Sequence, residues 1–468
     1  MSEKKNSKPR KRTGHDLTQG PVGKNLRRQA IPFSLGLLAI FSFEAIDLFF
    51  IAQLGDAPLA AVSFVLPVIW LIYGIGIGFE AGVASCVSRA VGRGDHDRAA
   101  RITTDSAVLG VLVALLLVAL GLTFMEPIFA LLGATEALMP LIRDYMQVWF
   151  FVAPADLLLW SLLAAVRARG NTALEARIIT LAALLNLVLD PLLIFGLFGL
   201  PRMEVAGAAL ATLISTVIML VFTLWYLGTR LQILASIRAS WATRMDSWRH
   251  MLQIGIPAMA TNAIVPISSG IVVAIIAAYG IDAVAGYGIA MRIEPMALIP
   301  FYALSAVSSP FFGQNIGGGH LHRLREARRV LTLFCLGFGV LLAAVTVLLG
   351  PLIVGLYTDS ETIGGVADSY LWLVAWSWGA YGLVMSANAA FNGSGRPLPA
   401  VVLSSCRVIV VLLPLLWLGQ KLAGLAGLFA AICLANLSLG VVAWWWLGRH
   451  INQQEAQAAA SAPEPSGA

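Results

Sequence analysis

The sequence predicts an all-α polytopic membrane protein: twelve transmembrane helices in two six-helix bundles. Three observations carry this. The chain of 468 residues is 59% hydrophobic and only 12% charged, with a mean hydropathy of +0.83, far from soluble-globular composition. The apolar residues fall in long continuous runs, not in the alternating pattern of an outer-membrane barrel. The two halves also repeat each other at a fixed offset. A helix needs about 20 apolar residues to cross the ~30 Å hydrocarbon layer.

Such runs lie near 31–53, 60–87, 103–124, 145–167, 174–198 and 205–227 in the first half. Those of the second half lie near 252–278, 284–312, 330–350, 368–391, 398–418 and 424–447. The connecting segments fix the orientation. Basic residues crowd the N-terminal tail (Lys4 to Arg12) and the loops after the second, fourth, sixth and eighth runs, including Arg93, Arg169, Arg238 and Arg325. The alternate loops carry mainly acids, such as Asp56, Glu126, Glu204 and Asp359. The positive-inside rule then puts both termini and the basic loops in the cytoplasm, as expected of a multi-pass protein of the inner membrane. This distribution also explains the formal charge of +6 without nucleic acid.

The expected organisation is a basic tail over 1–24, an N-terminal lobe over 25–228, a cytoplasmic linker over 229–249, a C-terminal lobe over 250–448 and a disordered tail over 449–468. Cys86, Cys335, Cys406 and Cys433 all fall within apolar runs and read as buried thiols. No histidine pair has metal-ligand spacing, no phosphate-binding Gly loop with a Lys appears, and no Ser/His/Asp set points to an enzyme. No cofactor is expected.

The repeat is exact in offset. Ile31-Pro32 falls on Ile256-Pro257, VGRGDHDR from Val91 falls on IGGGHLHR from Ile316, and Gly170 falls on Gly395, each 225 residues on. Six crossings per half is an even number, so the copies share one orientation and are related by an axis along the membrane normal, with a cavity between the bundles.

The acids within the runs are not duplicated. Asp47 lands on Val272, Asn186 on Val411 and Asp190 on Leu415. A charge at mid-membrane costs about 2.5–3.5 kcal/mol on insertion scales, so each needs a reason. Asp47, Asp190 and Thr212 all lie about seven residues from the outer ends of their runs, which puts them ~10 Å below the outer boundary. Asn186 is one turn deeper than Asp190 on the same face. These are hard oxygen ligands suited to a small cation, so Na+ at Asp47, Asn186, Asp190 and Thr212 is one possibility. Pro191 adds another by freeing the carbonyl at position 187. Glu44 lies three residues before Asp47 on the same face. Two carboxylates so close in a low dielectric do not both ionise readily, which suits a proton carrier. Asp156, Trp160, Tyr73, Glu80, Trp378 and Tyr381 are candidates to line the substrate cleft, the aromatics by stacking on a cation. Arg407 is expected to snorkel.

EAIDLFFIAQLGDAPLAAVSF, VGRGDHDRA, VRARGNT, NLVLDP, VAGAALATLIS, AYGIDAVAGYGIAMRIE and PFFGQNIGGG, in that order, resemble the multidrug and toxic compound extrusion (MATE) transporters, and the helix-5 Asn and Asp look most like the DinF-like branch. The resemblance covers residues ~25 to ~448. It implies two lobes forming a V, a monomer, and export of lipophilic cationic or amphiphilic small molecules across the bilayer against H+ or Na+. It carries the first-lobe cation site onto Asp47, Asn186, Asp190 and Thr212. The family often has an Asn 26 residues before the helix-5 Asn. Here that place is Trp160, so either sodium is not the ion or Asp156, one turn away, substitutes. The alternative reading is a flippase for lipid-linked precursors, against which the acids argue, since such a flippase needs a cationic cleft for pyrophosphate.

Overall fold

The computed structural model describes residues 14–460. The expected basic run from Lys4 to Arg12 and the last residues of the C-terminal tail lie outside the described residues. The first six crossings are α1 (Val22–Ala52), α2 (Asp56–Gly92), α3 (His96–Leu131), α4 (Met139–Ala168), α5 (Thr172–Phe195) and α6 (Glu204–Thr229). The next three are α7 (Trp241–Ile276), α8 (Ile281–Gly317) and α9 (His322–Val354). The tenth is split into α10 (Glu361–Val374) and α11 (Trp378–Gly393) by a 3-10 turn. The eleventh starts as α12 (Leu398–Cys406), opens into a π-helical segment at Arg407–Leu412, and continues as α13 (Leu413–Ala460). α13 breaks at Ala423 and Gly424, where the twelfth crossing begins. No strand occurs among the described residues. The expected disordered tail from 449 is helical as far as Ala460, because AQAAA extends the last helix with residues that cost least to hold helical.

Local chemistry sets the helix starts. Asp95 caps α3 by accepting from the Arg98 amide at 2.9 Å, and Asn171 caps α5 by accepting from the Leu174 amide at 3.2 Å. The repeat extends to the backbone itself. Gly55 and Gly280 open α2 and α8 at φ 116° and 106°, Gly94 and Gly319 turn at 75° and 76°, and Gly170 and Gly395 at 78° and 76°. Each pair is 225 apart, and only glycine takes such angles without strain. At Gly170 a Cβ would also stand 2.2 Å from the His15 carbonyl oxygen.

The chain divides into two compact units, and the division differs from the expected lobes. One unit holds Leu35–Gly255, and the other holds Leu17–Ser34 with Ile256–Ala468. Helices α1 and α7 therefore each change unit part-way, just after Pro32 in α1 and just before the repeat-related Pro257 in α7. They are also the two least buried of the spans. The expected linker over 229–249 is anchored in the first unit. Arg101 of α3 donates to the Ser236 carbonyl at 2.6 Å, Arg98 pairs with Asp246, and the Trp248 indole donates to the Asp105 carbonyl at 2.8 Å. The cause is Asp105, fully buried near the start of α3, which draws Arg101 (2.6 Å) and Arg244 (3.7 Å) onto it.

Each unit has its own core. In the first, Met146, Trp149 and Phe150 of α4 pack against residues of α2, α3 and α6 such as Val65, Phe129 and Ala209. Gly121 lets Phe150 lie flat on α3, where a Cβ would stand 2.2 Å from the ring. In the second, Phe301, Trp378, Phe391 and Phe429 fill the centre.

Candidate functional site

Helices α5 and α6 bring Asn186, Asp190 and Thr212 together. The orientation of the Asn186 amide follows from its neighbours. Its nitrogen donates to both oxygens of Asp190, at 3.0 and 2.8 Å, and its oxygen accepts from the Thr212 amide and hydroxyl, both at 3.0 Å. Asn186 and Asp190 are one turn apart, so the bond runs along a single helix face. Asp190 is fully buried and Asn186 nearly so.

Asp47 of α1 completes the cluster from a third helix. It interacts electrostatically with Asp190 and with Glu44, and its Oδ1 is buried without a hydrogen-bond partner. Tyr145, on α4, is buried within electrostatic reach of Asp47, Asp190 and Glu44. Tyr145 escaped the sequence reading because nothing in its own neighbourhood marks it. Asp156 accepts from the Thr216 hydroxyl at 3.1 Å and from the Tyr73 hydroxyl. Thr216 was also missed, although it lies one turn beyond Thr212 on α6. Tyr73 packs on Trp160 with ring centres 4.9 Å apart, on Trp149 at 5.9 Å and on Trp70 at 5.9 Å. The first unit thus places four acids (Glu44, Asp47, Asp156 and Asp190), an amide, two hydroxyls and an aromatic wall on α1, α2, α4, α5 and α6.

The remaining candidates fall elsewhere. Glu80 is held by Arg167 at 2.8 Å, and the same guanidinium pairs with Glu175. Glu80 therefore belongs to a buried ion-pair triad that joins α2 to the end of α4 and the start of α5. Trp378 is fully buried in the core of the second unit, facing Glu294. Tyr381 lies under the guanidinium of Arg407, 4.5 Å from its ring centre. The Arg407 Nε is buried without a hydrogen-bond partner.

Twelve apolar crossings in two repeated six-helix units, with an acid–amide–hydroxyl cluster in one of them, define a multi-pass membrane transporter, not an enzyme. Residues 32–192 and 257–418 match the MatE family, one match in each repeat. The chain belongs to that family. A FAD transporter of Shewanella oneidensis is 35% identical over 431 residues, covering 92% of this chain and 95% of that protein. The multidrug export protein MepA of Staphylococcus aureus is 25% identical over 419 residues, covering 89% of this chain and 92% of MepA. Among solved structures, the MATE transporter VcmN of Vibrio cholerae in the bent form superposes with a TM-score of 0.87 at 28% identity, covering 93% of this chain and 98% of VcmN. A MOP-superfamily transporter of Pyrococcus furiosus shares the fold, with a TM-score of 0.88 at 22% identity over 96% of this chain and all of that one.

Proposed function

We propose that this chain is a secondary antiporter in which inward proton movement, through Asp47, Asp190 and Glu44, drives export of an amphiphilic aromatic substrate. The observation that carries the reading is the Asp47 oxygen, buried without a partner among acids that it repels. A proton arriving from outside removes that repulsion and gives the oxygen a hydrogen to share. Helix α1 is the span least held by its surroundings, so a change of charge at Asp47 acts on the element most free to bend. The two states differ in affinity for the proton, and that difference supplies the drive. Sodium fits the cluster less well. The Asn186 oxygen already accepts twice from Thr212, and its nitrogen faces Asp190, so the amide offers a metal no free lone pair without turning over.

The positive-inside pattern supports an inner-membrane protein with both termini in the cytoplasm. The protein acts as a monomer, since each chain holds a complete carboxylate cluster. The relatives suggest two substrate classes, the drugs of a multidrug export protein and the flavin of a FAD transporter. The aromatic wall of Tyr73, Trp160 and Trp149 suits a flat ring of either class. The test is reconstitution in vesicles, with efflux of a fluorescent cation measured under an imposed pH gradient and then under a Na+ gradient. Efflux driven by the pH gradient alone supports the reading. Efflux driven by Na+ alone replaces it with a metal site at Asp190, Asn186 and Thr212. Efflux under neither, together with movement of lipid-linked precursors, would favour the flippase.

A further inference from the structure

We infer that Arg407, Tyr381 and Asn388 form a subsite in the second unit for the phosphate and sugar of a nucleotide-like anionic substrate, a step that rests on the antiporter reading. Arg407 lies nine residues into the eleventh crossing, about 14 Å along the helix from its start and within the apolar run 398–418. A guanidinium inside an apolar transmembrane run is a functional-site candidate by default. Among the described residues it has no ion pair and no hydrogen bond, and its Nε is buried. It lies over the face of Tyr381 and interacts electrostatically with Glu294, Tyr302 and Tyr370. Glu294 is satisfied without it, since the Tyr370 hydroxyl donates to its Oε2 at 2.5 Å.

The backbone points the same way. The helix opens into π geometry from Arg407 to Leu412, a distortion that frequently marks functional sites. One turn before Arg407, the Ser404 hydroxyl accepts from the Asn388 side-chain nitrogen at 3.1 Å, which leaves the buried Asn388 Oδ1 with no partner. Three unused capacities therefore collect between α11 and the eleventh crossing: a guanidinium fork, a ring face and an amide oxygen. The fork matches a phosphate bidentately, and a guanidinium held over an aromatic ring keeps its N–H edges free to do so. The amide oxygen suits a sugar hydroxyl or a ring N–H.

The repeat sharpens the contrast. Tyr381 stands 225 residues after Asp156, and Arg407 stands 225 after Ala182. Where the first unit buries an acid, the second places an aromatic ring beneath a cation. At these repeat-related places the first unit presents a carboxylate and the second a ring face and a guanidinium. The relative most similar in sequence among those described above is the FAD transporter, and a flavin dinucleotide carries phosphates, sugar hydroxyls and a flat ring system.

The test uses the full chain in nanodiscs with three probes: FAD, riboflavin (the same ring without phosphate) and ethidium. The wild type is expected to bind FAD more tightly than riboflavin. Arg407→Gln should weaken FAD about tenfold or more, the range of a lost charge-assisted hydrogen bond, and leave riboflavin and pH-driven ethidium efflux unchanged. Arg407→Lys, which keeps the charge and loses the fork, should fall between. Its melting temperature shows whether either variant has merely lost its fold, and Asn388→Ala provides a second, uncharged variant expected to weaken FAD and riboflavin alike. The inference is overturned if the wild type does not prefer FAD to riboflavin, if Arg407→Gln leaves FAD binding intact, or if it lowers all three probes equally. Absence of pH-driven ethidium efflux in the wild type would instead overturn the antiporter reading, and the binding comparison does not depend on it.

Discussion

Replacing Arg167 with Ala should cost the fold far more than replacing either of its partners. Arg167 is 6% exposed, and it holds Glu175, 2% exposed, and Glu80, 19% exposed. Both acids outnumber the one cation, so nothing else in the triad compensates when the guanidinium goes. Breaking a buried pair from one side costs about 3–5 kcal/mol, because the remaining charge stays desolvated. The unit affected has roughly 220 residues, for which each kcal/mol moves the melting temperature by about 2–4 °C, so the expected drop is on the order of 10 °C. The assay is thermal melting of detergent-solubilised protein, followed by size-exclusion chromatography. Glu80→Gln should melt close to wild type and still transport, since its neutral amide leaves Arg167 paired one-to-one with Glu175. Arg167→Met combined with Glu80→Gln and Glu175→Gln should recover most of the loss. An Arg167→Ala variant within about 2 °C of wild type would refute the reasoning. Loss of transport in a stable Glu80→Gln variant would return Glu80 to the transport path.

Three further outcomes are expected. Asp47→Asn and Asp190→Asn should each abolish pH-driven efflux while the protein still reaches the membrane, and near-normal efflux in both would disprove the role of the cluster. Trp248→Phe removes the indole bond to the Asp105 carbonyl and should destabilise by about 1 kcal/mol, read as a small drop in melting temperature with transport retained. Gly393→Ala puts a Cβ 2.2 Å from the Ser309 carbonyl oxygen, backbone against backbone. It should prevent recovery of folded protein, and a monodisperse elution profile would contradict the close packing of α8 on α11.

Periodicity and composition are written locally, so the twelve crossings and the 225-residue repeat were readable from the chain alone. The two halves of α13 show this, since runs 398–418 and 424–447 were separated by sequence although the helix is broken only at Ala423 and Gly424. The meeting of Asn186, Asp190 and Thr212 was also legible, because equal depth on consecutive antiparallel helices leaves few other arrangements. Glu80 misled because its partner lies 87 residues away, and spacing along a chain carries no sign of such a pairing. Arg407 shows the same limit, since no spacing along the chain places its guanidinium over the Tyr381 ring, 4.5 Å from the ring centre. Unit membership was the least legible feature. Residues 17–34 and 241–255 pack in the unit that does not hold the rest of their helices, and hydrophobic pattern is blind to which neighbour satisfies it.

That exchange makes the two halves of this chain unequal to two proteins. Cutting the chain in the loop after α6 would give one fragment with a stray half-helix, residues 22–34, and lacking 241–255, and a second with the reverse defect. Neither fragment contains all the apolar surface that its own bundle needs. Expressed alone, each should be cleared by quality control; expressed together, they should rescue one another and co-purify. A gene duplication that began as two separate six-helix subunits would thus have acquired a dependence that later fusion made permanent, and a functional single repeat could no longer be recovered by deletion.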